Sequence, residues 1–120
     1  MYATLKVGGD LEMQKGIPTL KDLQEAVGGL IAPVNLFGDS DGFVSAYVND
    51  EGILIGLDLN VVACGDDATI PLYGDMIFAR VDNEGETRGL TEEDFWKISE
   101  ALGVGITNEG QFVSVLDFRS

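Results

Sequence analysis

The residues that could perform chemistry are few in this chain. The sequence contains no histidine and a single cysteine, Cys64, so it cannot form the Ser-His or Cys-His pair of most nucleophilic enzymes. Cys64 lies among apolar residues, and we interpret it as a buried structural thiol. One cysteine without histidine also cannot complete a zinc site. We therefore predict a protein that is not an enzyme and that uses no cofactor.

Two aspartate-containing loops resemble fragments of metal or acid–base sites. The run DSDG at 39–42 matches the start of a calcium loop, but Phe43 and Asp50 occupy positions where an EF-hand needs an oxygen ligand and a glutamate. The adjacent acids at 66–67 could serve as paired carboxylates or bind magnesium. Their flanking sequence supplies no partner, so we interpret both segments as polar loops.

Charge is the strongest compositional feature. The 21 acidic and 7 basic residues give a net charge of −14. Such a surface repels nucleic acid and anionic lipid, so we expect direct binding to neither. It attracts basic surfaces, including the DNA-binding grooves of other proteins. The simpler interpretation is that the acids only keep the protein soluble.

Two acidic segments are the candidate contacts with a basic host protein. One is a predicted turn, and the other is the first turn of a predicted helix, where we expect the carboxylates to be exposed. The candidate residues are Asp82, Glu84, Glu86, Glu92, Glu93 and Asp94. In this hypothesis the protein is a binding or inhibitor module that occupies a groove meant for nucleic acid.

A small-ligand protein that sequesters a nucleotide signal is the alternative hypothesis. It rests on the 16 glycines and on three polar residues, Asn60, Arg80 and Arg88. The net charge argues against an anionic ligand. For Asn60, a hydrogen bond from its side chain to the backbone of its own turn is favoured over contact with a ligand. The sequence leaves the oligomeric state open.

The first helix is predicted from 19 to 28. Thr19 is a good N-cap with Asp22 as its capping partner. Leu20, Leu23 and Val27 recur at helical spacing and predict a narrow buried face. Gly28-Gly29 can adopt the left-handed cap that ends a helix.

The second helix is predicted over 91–102. Thr91 is its N-cap, and three acids fill the first turn, where the helix dipole favours negative charge. Phe95, Ile98 and Leu102 form the predicted buried stripe, with Trp96 lying off it, and Gly103 is expected to end the helix.

Alternating apolar residues separated by turn residues predict the strands. An N-terminal hairpin is expected from 2–7 and 11–17. Pro33 predicts that the strand after the first helix lies at a sheet edge or a bulge. The remaining predicted strands are 30–37, 43–48, 53–57, 76–81 as a central strand, and 112–118. We interpret 58–73 as mostly loop with one helical turn, because its pattern is irregular and it contains Gly65-Asp66-Asp67 and Pro71.

These elements predict an α+β fold: a mainly antiparallel sheet with two helices packed against it, an added N-terminal hairpin and an added C-terminal strand. The 120 residues suffice for one domain, 1–120. No apolar run is long enough to span a membrane. The N-terminus lacks a signal-peptide pattern, and the single cysteine fits a reducing compartment, so we expect a cytoplasmic protein.

Three segments together resemble a known family. They are LQEAVGGLIAPV at 23–34, YVNDEGILIGLDLN at 47–60, and GDMIFARVDNEGE with LTEEDF within 74–95. This order is similar to an uncharacterised domain-of-unknown-function family, DUF3846, found in phage and bacterial genomes. Asp58 stands where the family often has proline. The resemblance covers 18–102, leaves the N-terminal hairpin outside, and implies a small intracellular α+β domain, often encoded by mobile elements, with no established activity.

Overall fold

The computed structural model of the protein describes residues 1–119, and within that range it has two helices and ten strands. Both helices begin where the sequence predicts, because each has a complete capping box between a threonine and an aspartate. In chain order the elements are β1 (Tyr2–Leu5), β2 (Leu11–Gln14), α1 (Leu20–Val27), β3 (Ile31–Asp39), β4 (Gly42–Asn49), β5 (Leu59–Cys64), β6 (Thr69–Tyr73), β7 (Met76–Asp82), β8 (Thr87–Arg88), α2 (Glu92–Ala101), β9 (Leu102–Ile106) and β10 (Phe112–Asp117).

The first sheet has the order β2-β1-β7-β4-β3, with the short β8 paired to β7. All of its pairs are antiparallel. β7 is central, and β1 and β2 form the N-terminal hairpin, as predicted. β3 lies at the edge and has a bulge between Asn35 and Phe37, so both consequences expected from Pro33 occur in this strand.

The second sheet has the order β6-β5-β10-β9. β5 and β10 are parallel, and the other two pairs are antiparallel. The predicted α+β fold with a mainly antiparallel sheet is therefore confirmed. The prediction of a loop over 58–73 is wrong, because this segment contains β5 and β6. Pro71 favoured the loop interpretation, but it lies on β6, an edge strand that tolerates proline.

α1 covers one face of the first sheet. Leu23 packs with Tyr47, Ile77 and Ala79, and all four side chains are buried. Leu20 is 60% exposed, so its place in the predicted buried face is wrong. The helix ends as predicted at Gly28, which has a left-handed φ of 77°.

The main core lies between the two sheets. Val44 and Phe78 from the first sheet pack with Val61 and Leu116 from the second, and Ile98 from α2 joins them. All five are almost completely buried. Each sheet thus buries one apolar face against the other, which is how two-layer folds stabilise their elements.

Two further boundaries differ from the sequence prediction. The segment 53–57 is not a strand but part of a run of turns, in which Ile53, Leu54 and Ile55 are exposed. α2 ends at Ala101, and its extended C-cap Leu102 begins β9 directly. Gly103 therefore lies inside a strand and does not end the helix.

Candidate functional site

Arg80, near the end of β7, joins three segments of the chain. Its Nε and one terminal nitrogen donate to the two carboxylate oxygens of Asp94 on α2, at 3.0 and 2.8 Å. Its other terminal nitrogen donates to Asp39 at the end of β3, at 2.9 Å. The Arg80 and Asp94 side chains are 12% and 6% exposed. This two-pronged geometry matches the planar guanidinium to a carboxylate and fixes both groups.

The electrostatics of this cluster favour its charged form. Burial alone would raise the pKa of Asp94, but the hydrogen bonds from Arg80 and Thr91 and the positive charge of Arg80 together lower the pKa below 3.8. The hydrogen bond to Asp94 raises the pKa of Arg80. The pair is therefore ionised at neutral pH.

Asp94 also caps α2. Its carboxylate accepts from the Thr91 N–H at 3.0 Å, and its own N–H donates to the Thr91 hydroxyl at 3.0 Å. The expectation that Asp94 is exposed is wrong, because the residue is buried between the cap and Arg80. The sequence indicated the cap of α2, because that signal is local. It did not indicate the pairing of Asp94 with Arg80, because the two residues are 14 positions apart.

Asp82 organises the predicted acidic turn. One oxygen accepts from the backbone N–H groups of Glu84 and Glu86, both at 2.9 Å, and the other accepts from Arg88 Nε at 2.9 Å. Hydrogen bonds from the Glu86 backbone and from Arg88 lower the pKa of Asp82. Asp82 and Arg88 thus hold the turn and the short β8 in place.

These contacts bring the two predicted acidic segments to one end of the first sheet. We call this region the acidic end; it has eight carboxylates against Arg80 and Arg88, an excess of six negative charges. Its acids are Asp39, Asp41, Asp82, Glu84, Glu86, Glu92, Glu93 and Asp94. Within residues 1–119, five of these are exposed and form no ion pair: Asp41, Glu84, Glu86, Glu92 and Glu93.

Asn60 lies at the opposite end of β7 from Arg80. Its side-chain nitrogen donates to the carbonyls of Leu5 and Gly74, at 2.8 and 2.9 Å, and the residue is buried. It therefore bonds the backbone of two other segments, not the backbone of its own turn. Arg80 and Arg88 are register partners on β7 and β8. The structure brings these two arginines together and leaves Asn60 apart.

Two cavities lie along the sides of β3 and β6. The larger, about 690 Å³, is bordered by β3, the β5–β6 loop, the end of α2 and the C-terminal segment. The smaller, about 430 Å³, is bordered by β3, β6 and the turns after β4. Cys64, Asp66 and Asp67 border the larger cavity. None of Asn60, Arg80 and Arg88 borders either one.

A metal site has little support among residues 1–119. That range contains no group of three or more cysteine, aspartate or glutamate side chains placed to hold a metal ion. In the calcium-like run, Asp39 accepts from the Asp41 N–H at 2.9 Å and from Arg80, so it serves a turn and an ion pair. The same range has no helix long and apolar enough to cross a membrane.

The architecture defines a small α+β protein with one acidic end. The family described as "Domain of unknown function (DUF3846)" matches residues 4–103. Because this match spans most of the chain, the protein belongs to that family, which confirms the predicted resemblance. The match includes most of the N-terminal hairpin, which we had expected to lie outside it. No curated protein and no solved structure matches the chain.

Proposed function

We propose that this protein is a non-enzymatic binding module that inhibits a basic host protein through its acidic end. Carboxylates presented there would occupy a groove that normally receives the phosphates of nucleic acid. In this proposal the protein is a phage- or mobile-element-type anti-defence factor that acts in the cytoplasm. It contacts neither nucleic acid nor membrane directly.

One observation carries the proposal. Arg80 and Arg88, the basic residues of the acidic end, are committed to Asp94 and Asp82. The two arginines therefore hold the scaffold, and four glutamates remain exposed on it. This arrangement supports recognition of positive charge, because exposed carboxylates that form no ion pair attract a basic partner.

The alternative, a small-ligand or nucleotide-binding protein, has less support. The Asn60 amide donates hydrogen bonds to two backbone carbonyls, and both arginines donate to carboxylates within the protein. A nucleotide entering the larger cavity would meet Asp66, Asp67 and Glu100 on its lining. Enzymatic activity also lacks support, since the chain contains no histidine.

Affinity capture from a bacterial lysate at low salt tests the proposal. The bait is the wild-type chain, compared with a variant in which the four exposed glutamates of the acidic end are changed to glutamine. We expect the wild type to retain basic proteins that the variant releases. Recovery of the same proteins on both baits would contradict the proposal.

A further inference from the structure

The open side of the two-sheet core is formed by β3 and β6. β3 is one edge strand of the first sheet, and β6 is one edge strand of the second. Val34 on β3 and Ile70 on β6 border both cavities. The two cavities are therefore parts of one surface feature between these strands, which we call the edge groove.

The edge groove reaches the outer edges of both strands. The larger cavity touches the consecutive β3 residues 34–37, and the smaller one touches the consecutive β6 residues 70–73. Successive side chains of a strand point to opposite faces, so a cavity that touches them in sequence extends past the strand edge. An extended segment of about six residues, roughly 20 Å long, matches the stretch of β3 from Ala32 to Phe37.

The floor of the groove is apolar. The β3 bulge directs both Leu36 and Phe37 toward the core, where they are half-buried. Ile70 is 42% exposed at the centre of the groove, and Leu54 is 86% exposed beside the smaller cavity. These side chains offer apolar area to an occupant, and burial of such area favours association.

The walls of the groove are acidic. Asp50 and Glu51 border the smaller cavity, and four acids border the larger one: Asp66, Asp67, Glu100 and Asp117. The bases there are Lys97 and Arg119, which leaves an excess of four negative charges. Arg119 donates to Asp117 at 2.8 Å, and the Lys97 ammonium lies 4.5 Å from the centre of the Phe37 ring.

We propose that the edge groove binds an extended segment of a partner protein in which apolar residues alternate with lysine or arginine. Strand periodicity would direct the apolar side chains to the floor and the basic ones to the opposite face, from which long lysine and arginine side chains can reach the acidic walls. The inference rests on the proposed function, since it takes the partner to be basic, and it adds a second contact site. A second copy of this chain is a poor occupant, because each copy has a net charge of −14.

The two edge strands are themselves protected against pairing with another copy. Pro33 on β3 and Pro71 on β6 are exposed and lack an N–H group. Proline on an edge strand discourages sheet extension. Recognition in the groove therefore relies on side-chain contacts rather than on a continuous ladder of backbone hydrogen bonds.

NMR titration of the isotope-labelled full chain tests this site. The probe is a capped octapeptide of alternating leucine and lysine, and the control replaces each lysine with glutamate. We expect amide shifts over 32–37 and 69–73 with the basic peptide and none with the acidic one. Shifts confined to 82–86 and 92–93 would overturn the groove site and leave the proposed function standing. No shifts anywhere with the basic peptide would overturn the groove site and would also count against the proposed function.

Matched variants locate the contact further. Ile70→Lys places in the groove a positive charge that repels the basic peptide, whereas Ile106→Lys makes the same change on β9, the opposite edge strand of the second sheet. We expect Ile70→Lys to weaken peptide binding by about tenfold or more and Ile106→Lys to leave it unchanged. Leu54→Lys, at a side chain too exposed to support the fold, should also weaken binding. Wild-type affinity in both groove variants would overturn the proposal.

Discussion

At the scale of single residues, the pairing of Arg80 with Asp94 shows how the chain uses its acids. Asp94 closes the cap of α2 and also neutralises a guanidinium from β7. Asp82 likewise holds a turn and pairs with Arg88. These two carboxylates are structural, so the experiments on recognition must leave them intact.

Asp94→Ala should lower the free energy of unfolding by about 3–5 kcal/mol, as expected when one partner of a buried ion pair is removed. The change leaves Arg80 with only Asp39 and removes the hydrogen bond from the Thr91 N–H to Asp94, which is one half of the capping box of α2. Urea unfolding measures the effect. Glu93→Ala is the matched control, because Glu93 is exposed on the same helical turn, and it should cost at most about 1 kcal/mol. Equal losses in the two variants would refute the structural role of Asp94.

The stability difference between the wild type and Asp94→Asn should depend on pH. The folded-state pKa of Asp94 is below its ordinary value of 3.8. As pH falls, the unfolded chain therefore takes up this proton first. The advantage of the wild type is complete well above the ordinary pKa and is lost as pH falls through the folded-state value. A difference that stays constant from neutral pH to strongly acidic pH would contradict this assignment.

Asn60→Ala should lower the free energy of unfolding by about 1–3 kcal/mol, because it removes the amide that donates to the carbonyls of two buried residues. Asn83 is the matched control, since its amide donates to the carbonyl of Ser40 at the exposed surface. Asn83→Ala should cost less, because water can replace that bond. Thermal unfolding of both variants measures the comparison, and a larger loss for Asn83→Ala would contradict it.

At the scale of elements, the helices were predictable because their signals are local. Thr19 with Asp22 and Thr91 with Asp94 each lie three residues apart and form complete capping boxes. The sequence did not predict β5, β6 and β9, because these strands form only by pairing with other segments of the chain, some of them distant. β5, for example, pairs in parallel with β10, about fifty residues away. The glycines of β9, Gly103 and Gly105, resemble a helix end followed by a loop.

Leu23→Ala should lower the free energy of unfolding by about 2–5 kcal/mol, because it opens a cavity between α1 and the first sheet. Leu20→Ala is the matched control on the same helix, and it should have little effect because Leu20 is exposed. Phe95→Ala should fall between them, since Phe95 is half-buried. Melting temperatures measure the series. Equal shifts in melting temperature for Leu20→Ala and Leu23→Ala would show that the buried face of α1 is wrongly assigned.

At the scale of the whole molecule, two regions carry the proposed contacts: the acidic end and the edge groove. The acidic end could be foreseen in part, because its acids cluster in sequence at 82–86 and 92–94. The edge groove could not, because it forms only where edge strands of two different sheets meet. The segment 53–57 shows the same limit. Its apolar residues looked like a buried strand, but Ile53, Leu54 and Ile55 have no sheet neighbour and remain exposed.

The rate of association with a captured basic partner, measured at increasing salt, tests the role of the acidic end most directly. The test variant changes Glu84, Glu86, Glu92 and Glu93 to glutamine. The control variant, D10N/E12Q/D58N/E109Q, also neutralises four exposed acids, but these lie outside the acidic end. Both variants therefore lose the same charge.

We expect wild-type association to slow steeply as salt rises, because the Debye length is only about 8 Å at physiological ionic strength. The acidic-end variant should associate slowly at low salt with little change in its dissociation rate, while the control stays close to the wild type. A wild-type rate that is independent of salt, or equal slowing in both variants, would contradict recognition by the acidic end.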